Sequence, residues 1–166
     1  MPIRKTYVKT DFNGNSSAIV AGPVAGDGNV LRMTKPADRA AGTTISTLPN
    51  LAIERIPFTA TAKKLTLRVW APAAGMKIRM KIEEAGDVTH NCETDAATTV
   101  ANAWKTLTFN FNTRAFNNGD PTQLTSNRCV GTTLLLKTTL NMVSVFPNFG
   151  SATTGTFYLD DLKFVP

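Results

Sequence analysis

Apolar and polar residues alternate one by one in several short segments of this chain. Leu65–Trp70 and Met76–Glu83 are the plainest cases. A period of two puts successive side chains on opposite faces of a strand, and one buried face with one wet face is typical of antiparallel sheets. The same pattern predicts strands at Leu107–Phe111, Met142–Phe146 and Phe157–Phe164, with earlier candidates at Tyr7–Phe12, Val30–Thr34, Gly42–Thr47 and Ile56–Ala60.

The number of strands and the turns between them narrow the fold class. Turn-forming residues separate the strand candidates at 13–15, 26–29 and 71–75, and no long helical apolar period interrupts them. A length of 166 residues is enough for one domain with its own core. The sequence therefore predicts an all-β, two-sheet antiparallel sandwich over residues 1–166.

Composition limits the partners. No apolar stretch is long enough to span a membrane. The net charge is +6 although only 18% of the residues are charged, which favours an acidic partner such as an anionic polysaccharide. A mildly basic surface without a dedicated partner is the alternative. No run of Lys or Arg, helix-turn-helix or zinc-finger pattern occurs, so we expect neither nucleic acid nor membrane as a partner.

The opening segment and the two cysteines bear on the compartment. Met1–Tyr7 has no features of a secretory signal. We therefore expect either an extracellular module of a larger protein or a protein kept inside a cell until it is released. Cys92 and Cys129 match no zinc or redox spacing. A disulfide would fit an extracellular life and two buried thiols an intracellular origin.

No set of residues predicts catalysis. The single histidine, His90, has no Ser or Cys pattern around it and is expected at the surface. Glu83 and Glu84 are adjacent, so a strand would point them to opposite faces. Glu83 and Glu93 are more simply explained as ion partners of nearby basic residues. We therefore expect a protein that is not an enzyme.

Binding is better supported than catalysis. If Leu67 and Val69 face the core, Arg68 and Trp70 face outward, and the same logic turns Arg79 and Lys81 outward. Should the two strands pair, one sheet face would carry all four. An aromatic face stacks on a sugar ring, and guanidinium or ammonium groups bind hydroxyls or carboxylates. The alternative is that Trp70 is a rim residue of the core. Trp104, just before an alternating strand, is expected in the core.

Several segments, in their order along the chain, resemble the jelly-roll carbohydrate-binding modules appended to secreted bacterial polysaccharide-degrading enzymes, such as laminarinase-like and agarase-like glycosidases. They are Ile56–Ala60, Leu67–Gly75, Glu93–Ala96, Ala103–Phe111, Val143–Gly150 and Phe157–Phe164, and Asp11–Phe12 and Asp27–Leu31 fit the opening of the pattern. The resemblance implies a galactose-binding-like β-sandwich, sugar binding in many members, and often a structural calcium ion.

Calcium prefers six to eight oxygen ligands. Asp11, Asn29, Asp160 and Asp161 could supply them, if the first and last strands lie together as they commonly do in such sandwiches. Solvated turn residues and a surface carboxylate pair are the alternative explanation.

Two functions therefore stay open. The first is a non-catalytic module that binds a polysaccharide. The second is a virion protein, because jelly rolls of this kind also serve as capsid decoration or tail components of bacteriophages. The second function predicts symmetric contacts with copies of itself or with capsid or tail subunits.

Overall fold

The computed structural model describes residues 8–112 and 139–166. In these ranges every regular element is a β-strand. The strands are β1 Val8–Phe12, β2 Ser16–Ala21, β3 Asn29–Lys35, β4 Gly42–Ser46, β5 Lys64–Trp70, β6 Lys77–Glu84, β7 Asp87–Ala97, β8 Trp104–Asn110, β9 Met142–Phe146 and β10 Gly155–Val165.

The described strands form two antiparallel sheets that pack face to face. The first sheet has the order β1-β4-β9-β6-β7 and the second the order β2-β3-β10-β5-β8. Among the described strands, only β2–β3 and β6–β7 pair with the next strand along the chain, and the other connections cross from one sheet to the other. Within the described ranges no helix is long and apolar enough to cross a membrane.

The core lies between the two inner faces. Alternating residues of β5 and β6, such as Leu67 and Met80, point into it and are almost fully buried. Rings from β8 and β10, Phe109 and Phe157, fill the same cluster. The predicted two-sheet antiparallel sandwich is therefore confirmed for the described residues, whereas the single domain over 1–166 also covers residues outside them and stays a prediction.

Three details of the strand prediction were wrong. Ile56–Ala60 is not a strand, because Pro57 cannot donate to a ladder, although Ile56 and Phe58 still pack into the core. β2 was missed because its small residues carry a weak pattern at a sheet edge. β7 was missed because its sequence is mostly polar, with only Cys92 and Thr94 well buried along its length.

Replacing Phe109 by Ala should destabilise the domain by about 3–5 kcal/mol, because the cavity would open in the middle of the core. The ring is fully buried in the inter-sheet cluster. Urea unfolding followed by circular dichroism measures the change. Phe109→Leu, which fills most of the same volume, should cost clearly less, and equal losses for both variants would contradict this account of the core.

Candidate functional site

Three aromatic side chains lie side by side on the outer face of the second sheet. Trp70 on β5 is the cross-strand neighbour of Trp104 on β8 and of Tyr158 on β10. Their chain neighbours Val69 and Leu159 point into the core, so the alternation turns the rings outward. All three are partly exposed. We call Trp104, Trp70 and Tyr158 the aromatic row.

The rings of the row do not form a flat surface. Trp70 and Tyr158 have centroids 5.3 Å apart and ring planes at 87°. This edge-to-face arrangement is a favourable one for aromatic pairs, because the positive ring edge meets the negative ring face. The two rings therefore form a corner that is partly open to solvent.

Arg68, on the same face of β5, contacts the aromatic row at its Trp104 end. Its guanidinium carbon lies 4.2 Å from the centroid of the Trp104 ring. The same guanidinium pairs with Asp27 at 3.1 Å and with Asp160 at 3.5 Å. Arg68 and Asp160 both keep about a third of their side chains exposed, at 30% and 32%. They can therefore donate to and accept from a ligand beside Trp70.

Asp27 ties the β2–β3 loop, residues 22–28, to the aromatic row. Its carboxylate accepts hydrogen bonds from Trp104 Nε1 at 2.8 Å and from the Val24 backbone N–H at 2.9 Å, in addition to the pair with Arg68. A Cβ at position 22 would lie 2.3 Å from the Cβ of Asp27, so this approach requires Gly22. We call these contacts of Asp27 the Asp27 latch.

The latch also sets the charge state of its carboxylate. The Trp104 N–H, the Val24 N–H and Arg68 hold the pKa of Asp27 below its ordinary value of 3.8, although the partial loss of water around the carboxylate opposes them. Asp27 is therefore ionised at neutral pH and keeps its three partners in place.

A β-bulge in β10 orients the acidic pair that follows Tyr158. The register with β5 shifts between Asp160 and Lys163, and Asp161 sits in the bulge with a φ of 52°. Asp160 therefore faces Arg68 on the sheet surface, whereas Asp161 pairs with the exposed Lys163 at 3.2 Å.

The structure places Arg68 and Trp70 on an outer face, as predicted, and their role in binding stays a prediction. The expectation for Trp104 was wrong, because it belongs to the partly exposed row and not to the core. Tyr158 and Asp27 were missed. Tyr158 stands between two core residues in an apolar stretch, and Asp27 reads as an ordinary turn residue, so neither gave a signal.

Arg79 and Lys81 do not join this face, which corrects the predicted set of four. β5 and β6 lie in different sheets, since the segment between them crosses from one sheet to the other. Arg79 is moreover fully buried. Its guanidinium forms two hydrogen bonds with Asp95, at 2.7 and 2.9 Å, and one with Glu93 at 3.1 Å, and lies 3.7 Å from the centroid of Phe149.

The remaining polar groups of the first sheet's outer face also satisfy one another. Lys81 pairs with Glu83 at 2.8 Å, and the hydroxyls of Thr44 and Ser144 are hydrogen-bonded at 2.7 Å. Glu93 is thus a cross-strand ion partner of Arg79, as predicted, whereas Glu83 pairs with Lys81 on its own strand and not across strands. His90 is about one-third exposed and bonds to Glu84 at 2.6 Å.

The four residues predicted to hold calcium do not come together. Asp11 lies on the first sheet, whereas Asn29, Asp160 and Asp161 lie on the second. In the described ranges no group of three or more His, Cys, Asp or Glu side chains is placed to hold a metal ion. These residues therefore do not fit a shared site, and calcium binding stays a prediction without assigned ligands.

Asp11 has a different role in the structure. Its carboxylate accepts hydrogen bonds from the Ser17 N–H and hydroxyl, from the Asn15 amide and from the Thr43 hydroxyl. Burial raises the pKa of Asp11, but these hydrogen bonds outweigh it and hold the pKa below its ordinary value. Asp11 thus joins β1, β2 and β4 at one end of the sandwich.

The structure bears on one of the two cysteines. Cys92, buried on β7, is disulfide-bonded. Cys129 lies outside the described residues.

The described part of the chain carries less net positive charge than the whole sequence. The described ranges contain 13 basic and 11 acidic residues, which leaves +2 of the total of +6. Around the aromatic row, the formal charges of Arg32 and Arg68 equal in number those of Asp27 and Asp160, and both carboxylates pair with Arg68. Local charge therefore gives no strong preference for an anionic ligand.

The sequence matches no protein-family model, and no curated protein matches it. Its fold is similar to solved jelly-roll modules. A family 11 carbohydrate-binding module from Clostridium thermocellum, in complex with a β-1,3-1,4-mixed-linked tetrasaccharide, superposes with a TM-score of 0.60 at 15% identity, covering 99% of this chain and 90% of the other. The CBM22-1 xylan-binding domain of Xyn10C from Paenibacillus barcinonensis gives 0.52 at 12% identity, with 93% and 82% covered.

An exo-β-agarase is also similar, with a TM-score of 0.57 at 11% identity over 95% of this chain but only 23% of the enzyme. This chain thus has the size of one part of that enzyme. These similarities confirm the predicted jelly-roll fold and its resemblance to the modules of polysaccharide-degrading enzymes.

The Asp27 latch should open only in acid. Because the pKa of Asp27 is lowered in the folded state, its contribution is complete above pH 3.8 and is lost as the pH falls through the lower folded value. The Trp104 Nε1–H signal in NMR spectra should therefore shift at acid pH. Asp27→Asn should remove this titration, and Asp161→Asn, at an exposed carboxylate, should leave it unchanged. A titration that survives Asp27→Asn would contradict the latch.

Arg79→Gln should destabilise the protein by up to about 3 kcal/mol, because it leaves Asp95 and Glu93 without their buried partner while both carboxylates keep some contact with water. Lys77→Gln is the matched control, since Lys77 is 38% exposed and lies 4.0 Å from Asp95. Thermal unfolding measures both. Similar small losses would show that burial of the guanidinium does not matter.

Proposed function

We propose that this chain is a non-catalytic carbohydrate-binding module and that the sugar stacks on the corner formed by Trp70 and Tyr158. The observation that carries the proposal is this pair of partly exposed rings beside the ion pair of Arg68 and Asp160, whose side chains are each about one-third exposed. Such a role places the chain at a polysaccharide outside the cell.

The chemistry of the corner suits a sugar. The C–H face of a pyranose is apolar and packs on an aromatic ring, whereas its hydroxyls need both donors and acceptors at the rim. Arg68 supplies donors and Asp160 supplies acceptors. The Asp27 latch holds Arg68 from the other side, so little side-chain freedom is lost on binding.

Similarity to solved modules supports the same role, since the two modules above are named for a bound tetrasaccharide and for xylan. We propose a neutral polysaccharide as the ligand, because the basic and acidic groups around the corner balance. The alternative prediction of an anionic polysaccharide rests on net charge, most of which lies outside the described residues.

The virion function stays a prediction. The similar structures named above are carbohydrate-binding modules and an agarase, so they do not support a capsid or tail partner.

Trp70→Ala should abolish retention on the polysaccharide that the native protein binds, with a loss of about tenfold or more in affinity, because it removes the stacking surface. Affinity electrophoresis in gels that contain β-glucan, xylan, agarose or alginate both finds the ligand and tests the variant.

Thr108→Ala is the control, since Thr108 is exposed on the same face but outside the aromatic row. Circular dichroism verifies that each variant is folded. Full retention by folded Trp70→Ala would rule out the corner as the site, and no retention of the native protein by any glycan would rule out the function.

A further inference from the structure

A row of three aromatic rings across adjacent strands could act as a platform for several consecutive sugars. Strands in a sheet lie about 4.8 Å apart, so the row from Trp104 through Trp70 to Tyr158 spans about 10 Å. A platform of that kind requires rings that are roughly parallel to one another and open on their outer faces. The row departs from both conditions, because the planes of Trp70 and Tyr158 are at 87° and the guanidinium of Arg68 covers one face of Trp104.

One face of the Trp104 ring and its indole N–H are already occupied. The guanidinium of Arg68 lies over its ring at 4.2 Å, and its Nε1–H is donated to Asp27. The β2–β3 loop, held by the Asp27 latch, reaches the row at this end. This covered face of Trp104 supports Arg68, so it cannot also stack on a sugar.

Trp70 and Tyr158 cannot both stack on the same flat ligand. Their ring planes are at 87°. A sugar that stacks parallel to one ring is therefore perpendicular to the other ring and contacts it only with its edge. Arg68 and Asp160, each about one-third exposed, face each other two residues further along β5 and β10. They are within reach of the hydroxyls of that same sugar.

We propose that the corner holds one sugar ring and does not bind a run of consecutive sugars or a flat crystalline surface. This inference rests on the proposed function and specifies the ligand: a single exposed pyranose of a soluble or amorphous chain, held by Trp70, Tyr158, Arg68 and Asp160 together.

The test compares chain lengths. The glycan retained in the gels is supplied as a series from the monosaccharide to the hexasaccharide, and NMR titration or calorimetry gives each affinity, divided by the number of sugar rings. After this division, the association constant should change by no more than about threefold along the series. A threefold change corresponds to a difference of about RT in the binding free energy. A platform would instead gain about tenfold for each added stacked sugar.

A variant makes the test sharper. Tyr158→Ala should weaken the monosaccharide and the hexasaccharide by the same factor, because both use the same two rings. If Tyr158 belonged to a second sugar subsite, only the longer ligand would be weakened. Near-UV circular dichroism verifies that Trp70 keeps its environment, and Thr108→Ala is again the control.

Insoluble ligand gives an independent result. The protein should not sediment with microcrystalline cellulose. Sedimentation blocked by Trp70→Ala, or an affinity that rises with each added sugar, would overturn the single-sugar corner while leaving carbohydrate binding intact. Absence of binding along the whole series would overturn both.

Discussion

The antiparallel register between β5, β8 and β10 is the constraint from which the candidate site follows. Leu67, Leu107 and Phe157 must face the core in that register, and alternation then leaves no choice for the residues beside them. A slip of one residue between strands would bury polar groups and expose the core. The register that buries the core thus also aligns Trp104, Trp70 and Tyr158 on the opposite face.

The two outer faces of the sandwich use their polar residues in opposite ways. On the first sheet, Arg79 is enclosed by two carboxylates and a phenyl ring, so its guanidinium interacts with groups of the fold and is not accessible to a ligand. On the second sheet, Arg68 has two carboxylates as well but keeps 30% of its side chain exposed. The difference in exposure, and not in residue type, makes the second face the better candidate for binding.

The alternating pattern predicted the class of fold and, for the segments that became β5 and β6, which residues point away from the core. It did so because a two-residue period is a local property, visible in Leu65–Trp70 without knowledge of the neighbours. It could not predict that β5 and β6 belong to different sheets, because the short segment 71–76 could equally have formed a hairpin. Nor could it predict that Arg79 is enclosed, since β7, which carries Asp95 and Glu93, was not recognised as a strand and Phe149 comes from a distant part of the chain.

The bulge in β10 has a consequence for how this surface could change in evolution. It separates one strand into two stretches, with Tyr158 and Asp160 on one side and Lys163 on the other, each in its own register with β5. Because of the extra residue, the pairing of one half with β5 does not fix the pairing of the other half. Substitutions in the half that carries Tyr158 and Asp160 can therefore accumulate without disturbing the end of the strand, where Phe164 packs against the core.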